Sequence, residues 1–168
     1  MHAAVWILPG IGGPPRVLVG HTQIPGNPNG LALNEDETVL YVSVTPLTTM
    51  DPNAAAAVNQ IFAFDLLEVD GGYFATGTRV FAESDFGFSD GFKVDSMGNL
   101  FASTGDGVSV WNSAGTLIGK ILVPTTRAIQ NHPTSAIGFA NDNLIIMRNT
   151  DVLMLALNTT EAAFVINN

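Results

Sequence analysis

The sequence predicts an all-β chain, a partial β-propeller of about three four-stranded blades. Three observations carry this. Hydrophobic residues make up 46% and charged residues only 12% of 168 positions, enough apolar mass for a packed core. Seventeen Gly and nine Pro punctuate short apolar runs rich in Val, Phe and Thr. A strand–turn–strand unit recurs: "NGLALNEDETVLYVS" (29–43), "DGFKVDSMGNLFAS" (90–103) and "SAIGFANDNLIIMR" (135–148).

The elements follow in chain order. Residues 1–15 read as a non-native-looking or irregular segment: apolar, without the basic start of a secretory signal. Residues 16–168 read as one incomplete propeller domain. Strands are expected at 16–19, 30–34, 38–44, 59–65, 78–82, 91–95, 99–103, 107–112, 116–122, 135–139, 143–147 and 151–157, with a further candidate at 162–166. The separators "NEDET", "EVDGG", "DSMGN", "TGDG", "NSAG" and "ANDN" are turn chemistry. Ala-rich 53–67 competes as a helix, but "QIFAFDL" alternates like a strand, so 45–57 is read as loop and the rest as strand. Unit starts lie 61 residues apart (Gly30 to Gly91), then 45 (Gly91 to Ala136), the first interval holding an insertion at 45–58. Four strands in a unit of this size describe a propeller blade. A closed ring needs at least four blades. The chain is therefore expected to be a truncated form, open at its sheet edges and prone to self-association through them.

Charge and composition exclude several functions. Net charge is −9, which repels phosphate backbones and anionic membranes, so neither nucleic acid nor membrane is an expected partner. No run approaches the roughly 20 apolar residues of a membrane span. The absence of cysteine rules out thiolate catalysis, disulfides and thiolate-bound zinc. It leaves the redox compartment open. "GIGG" (10–13) lacks the Lys of a phosphate loop, and no Ser stands in a G-x-S-x-G elbow.

What remains is a pair of oxygen donors. Asn29 precedes Gly30 and Asp90 precedes Gly91, each just ahead of the first strand of its unit. That strand is innermost in a propeller, so both positions are expected at one mouth of the central channel. An amide oxygen and a carboxylate suit a hard divalent cation. Alone, Asn-Gly and Asp-Gly are ordinary turn dipeptides; the shared register argues for ligands. Other candidates have plainer explanations. Asp95, with Gly98 and Asn99, reads as a turn, and Glu35, Asp36 and Glu37 as a solvated hairpin end. His132 reads as a loop residue, Trp111 as core, and Phe86 and Phe88 as packing near Asp90.

"PNGLALNEDETVLYVS", "DGFKVDSMGNLFAS" and "GVSVWNSAGTLIGKILVP" together resemble the gluconolactonase/regucalcin (senescence marker protein) family, over about residues 16–157. The resemblance implies a six-bladed architecture of which this chain carries the C-terminal half. It implies a divalent-metal-dependent hydrolase of lactones or related esters acting on a small molecule. One cation is implied, Ca²⁺ first, with Zn²⁺, Mg²⁺ or Mn²⁺ as alternatives. Asn29 and Asp90 match its Asn and Asp ligands, and Asp90 would also serve as general base. The family's N-terminal Glu ligand and its substrate-contacting Asn and Arg have no counterpart here, and Thr134–Ser135 stands where the family often has Thr-Asn. These departures keep a second reading in view: a non-catalytic propeller fragment acting as a binding module.

Overall fold

The middle strands of the first two blades carry apolar residues on both faces, and the architecture follows from burying both. The computed structural model describes residues 3–8, 13–45, 59–123, 134–148 and 151–157. The expected loop at 45–57, the strand candidate at 162–166 and His132 lie wholly or almost wholly outside them.

Among the described residues thirteen strands form four antiparallel sheets. A hairpin of β1 (Val5–Ile7) and β2 (Arg16–Val19) comes first. The first blade is β3 (Asn27–Leu33), β4 (Val39–Thr45), β5 (Gln60–Val69) and β6 (Gly72–Glu83), in that order across the sheet. The second is β7 (Phe92–Val94), β8 (Leu100–Thr104), β9 (Gly107–Trp111) and β10 (Leu117–Leu122). The third is β11 (Ala136–Ala140), β12 (Asn143–Met147) and β13 (Val152–Ala156). The innermost strands β3, β7 and β11 touch in succession.

Alternation along each strand divides the core into three seams. Leu40, Val42 and Val44 of β4 pack with Phe62 and Phe64 against Val5, Val19 and Ile24 of the N-terminal segment. Tyr41, Ile61, Ala63 and Ala82 face the second blade, where Phe92, Leu100, Ala102 and Trp111 receive them. Phe101, Val108, Val110 and Ile121 face the third blade and meet Ile137, Leu144 and Ile146. Successive side chains of a strand point to opposite faces, so one continuous apolar run serves two seams. Trp111, 2% exposed, is a core residue as expected.

The turns repeat one device. Asn34 Oδ1 accepts the amides of Thr38 and Val39, each at 2.8 Å. Asp95 Oδ1 accepts those of Met97 at 2.9 Å and Asn99 at 2.8 Å. Asn112 Oδ1 accepts those of Ala114 and Thr116, both at 3.0 Å. Each short polar side chain closes its own turn and replaces the missing ladder bonds. Asp95 is thus a turn residue, and Glu35, Asp36 and Glu37 form an exposed hairpin end, with Glu37 at φ 56°.

Two features exceed the sequence reading. Strand β1, inside the 1–15 segment expected to be irregular, pairs with the expected strand β2. Strands β5 and β6 run on to a two-residue turn at Asp70–Gly71, both at positive φ, the conformation that matches strand twist in a tight hairpin.

Candidate functional site

Neither Asn29 nor Asp90 sits in a turn. Asn29 and Gly30 lie within β3, where the register slips between Pro28 and Leu31: three steps along β3 oppose two along β4. This is a β-bulge, in which two residues of one strand face one of the other, here Ser43. The amide of Gly30, turned out of the ladder, donates to Ser43 Oγ at 2.8 Å, and Ser43 is fully buried.

The second blade repeats the bulge. The Asp90 amide donates to the Ser103 carbonyl at 3.0 Å, and the Ser103 amide to the Gly91 carbonyl at 2.9 Å, so Asp90 and Gly91 together oppose Ser103. The Gly91 amide donates to Ser103 Oγ at 2.8 Å, and Ser103 is also fully buried. In the third blade the Ser135 amide donates to the Met147 carbonyl at 2.9 Å and Ala136 pairs with Met147. Asn29, Asp90 and Ser135 therefore hold one structural position in three consecutive blades. Bulges re-aim side chains and recur beside functional sites.

The glycines explain how the three come together. A Cβ on Gly30 would overlap the carbonyl oxygen of Asp90 and stand 2.9 Å from its carbonyl carbon. A Cβ on Gly91 would stand 2.8 Å from Ala136 Cα and 3.1 Å from the Ser135 carbonyl oxygen. Residue 30 thus touches the backbone of residue 90, and residue 91 that of residues 135 and 136. Of the sequence-predicted pair, Asn29 is exposed and lies inside β3, not just ahead of the strand as expected, and Asp90 is half-buried and lies two residues before β7, the adjacent inner strand.

A polar frame holds this end. Lys120 Nζ donates to Asp106 Oδ2 at 2.6 Å and to Asp85 Oδ1 at 2.7 Å. Burial works against the ammonium charge, but hydrogen bonds to Asp106 and Asp85 outweigh it and hold Lys120 above its usual pKa. Asp106 lies in the turn after β8, and Asp85 in the segment leading to Asp90. The Gly105 amide donates to the Phe86 carbonyl at 3.0 Å, and the exposed Phe86 ring lies against Gly105. Buried Thr134 donates from Oγ1 towards the Gly107 carbonyl at 2.7 Å and the Thr104 carbonyl at 3.0 Å, pinning the start of the third blade to the second. Ser89, 1% exposed and next to Asp90, has no hydrogen-bond partner for its Oγ among the described residues.

Sequence reasoning missed Ser43 and Ser103. The signal was present: "YVS" and "FAS" stand in matching register in the second strand of the first two units. Among the described residues no group of three or more His, Cys, Asp or Glu gathers as a metal cluster.

A family model described as the SMP-30/Gluconolactonase/LRE-like region matches residues 19–146, well over half of the chain. The chain belongs to this family. Among members of the SMP-30/gluconolactonase family, a gluconolactonase of Zymomonas mobilis is 35% identical over 99 residues, 56% of this chain and 25% of that protein. The structure of a gluconolactonase from Xanthomonas campestris superposes with a TM-score of 0.72 at 34% identity, covering 93% of this chain and 45% of the other. That of regucalcin, a calcium-binding protein from Agrobacterium tumefaciens, superposes at 0.57 with 23% identity over 83% of this chain and 43% of that one, a likeness of fold. The chain thus spans less than half the length of these relatives. Its three blades form a partial propeller of the family's six-bladed plan.

Proposed function

We propose that the site headed by Asn29 and Asp90 belongs to a lactone hydrolase that uses a divalent cation. The observation that carries this is the paired bulge: an amide and a carboxylate hold one position on adjacent inner strands, packed backbone to backbone through Gly30. The reaction class is supported by family membership and by two of the three similar proteins named above, which are gluconolactonases.

The residues present suit a hard cation such as Ca²⁺. Both donors are oxygens, and the buried Oγ of Ser89, next to Asp90 in the chain, has no hydrogen-bond partner among the described residues. Asn29 and Asp90 would hold the ion, which when bound supplies Lewis-acid polarisation of a lactone carbonyl and acidifies a water. Asp90 would accept the proton of the attacking water and return it to the departing ring oxygen. The bulges fix both residues on buried ladder bonds, so their geometry is set before substrate arrives. Lys120, through Asp85 and Asp106, braces the segment that delivers Asp90.

The test is lactone hydrolysis followed by acid release, with and without added Ca²⁺. Asp90→Asn keeps the size of the side chain but removes the base and the anionic donor. It should lower kcat by at least about 100-fold, in line with the loss of a general base. Turnover equal to that of the unsubstituted protein would reject the assignment. A well-folded protein that binds lactone without hydrolysing it would favour the binding-module reading.

A further inference from the structure

The position shared by Asn29 and Asp90 has a third occupant. Ser135 lies just before β11 as Asp90 lies just before β7, with its amide on the Met147 carbonyl as the Asp90 amide is on that of Ser103. Its backbone lies against Gly91, the residue that follows Asp90. Thr134 immediately before it is buried and bound to two carbonyls of the second blade, so Ser135 is held against Asp90's strand by a fixed anchor. Among the described residues the Ser135 hydroxyl makes one contact, a long one of 3.4 Å to the Met147 carbonyl, so it can turn to a better partner. A hydroxyl both donates and accepts, and on the strand next to that of Asp90 it matches an alcohol group.

We infer that Ser135 is a specificity residue, hydrogen-bonding a ring hydroxyl of a polyhydroxylated lactone beside Asp90. This rests on the lactonase reading for its substrate class, but on the bulge register and the Thr134 anchor for its place. A site group made to bond a substrate hydroxyl discriminates against an analogue that lacks it. The role differs from that of Asn29 and Asp90: Ser135 would set which lactone is taken, not whether the ring opens.

The experiment compares Ser135→Ala with the unsubstituted protein on glucono-δ-lactone and on δ-valerolactone, which has no hydroxyl groups. The substitution should lower kcat/KM for the sugar lactone about tenfold, the value of one hydrogen bond, and leave δ-valerolactone within about twofold. Equal effects on both, or none on either, would overturn the assignment. Titration of gluconate by calorimetry gives a readout independent of turnover, with an expected affinity loss of about tenfold in Ser135→Ala. Should Asp90→Asn leave hydrolysis untouched, the lactonase reading falls. The gluconate titration still decides Ser135: weakened binding supports it, while unchanged binding, or none in the unsubstituted protein, refutes it. Thermal melts within about 2 °C of the unsubstituted protein confirm that the variant is folded.

Discussion

Replacing Gly30 with Ala adds one methyl group and tests the contact on which the site is built. The added Cβ would overlap the Asp90 carbonyl oxygen, stand 2.9 Å from its carbonyl carbon and 3.2 Å from Ser43 Oγ. Two of these atoms are backbone, so no side-chain rotation relieves the clash. A carbonyl bond is about 1.2 Å long, and its oxygen occupies the space the methyl needs, so the β3 and β7 backbones must part by about 1 Å or more. Overpacking a well-filled joint costs about 1–3 kcal/mol, and a rigid backbone-to-backbone joint belongs at the upper end. A misplacement of about 1 Å also costs on the order of 100-fold in rate when it moves a catalytic group. Urea denaturation should therefore show a loss of about 3 kcal/mol, and any lactone turnover should fall much further than stability alone explains. Gly119→Ala is the control: nothing lies within 4 Å of a Cβ at that position, and the substitution should be neutral or stabilise by up to about 1 kcal/mol. A Gly30→Ala protein within about 0.5 kcal/mol of its parent would refute the close-packed joint and with it the pairing of Asn29 and Asp90.

Two further tests address the frame. Ser43→Ala removes the buried hydroxyl that accepts the Gly30 amide, leaving a buried donor unpaired; stability should drop by about 1–3 kcal/mol in denaturant titration, and Ser103→Ala should behave alike. Lys120 is held above its usual pKa by Asp106 and Asp85, so its contribution is complete below about pH 10 and is lost as pH rises through the folded-state value. Lys120→Met should cost about 1–2 kcal/mol at neutral pH, since the partners are partly buried. The gap between the two proteins should narrow as pH rises through the folded-state value of Lys120, above its usual 10.5; a gap that stays constant while the Lys120 ammonium is seen to titrate would show that its charge contributes nothing.

What the chain alone determined is local. Alternating apolar runs bounded by Asn34, Asp95 and Asn112 marked the strands and turns, because a short side chain closing its own turn acts over two to five residues. The repeat then gave the blades, and the matched register of Asn29 and Asp90 gave the candidate pair. Strand β1 escaped because three residues in an apolar segment carry no period, and its ladder with β2 is a tertiary fact. The tertiary structure also decided why each donor precedes glycine. "NG" and "DG" are written like turns, yet both lie in bulges. Their glycines answer to a neighbouring backbone, Asp90 for Gly30 and Ser135–Ala136 for Gly91, that stands 60 and about 45 positions away in the chain. Only folding brings such partners within contact, so the place of Ser135 beside Asp90, like the hydroxyls of Ser43 and Ser103 that complete the bulges, is set by the packing of blade on blade.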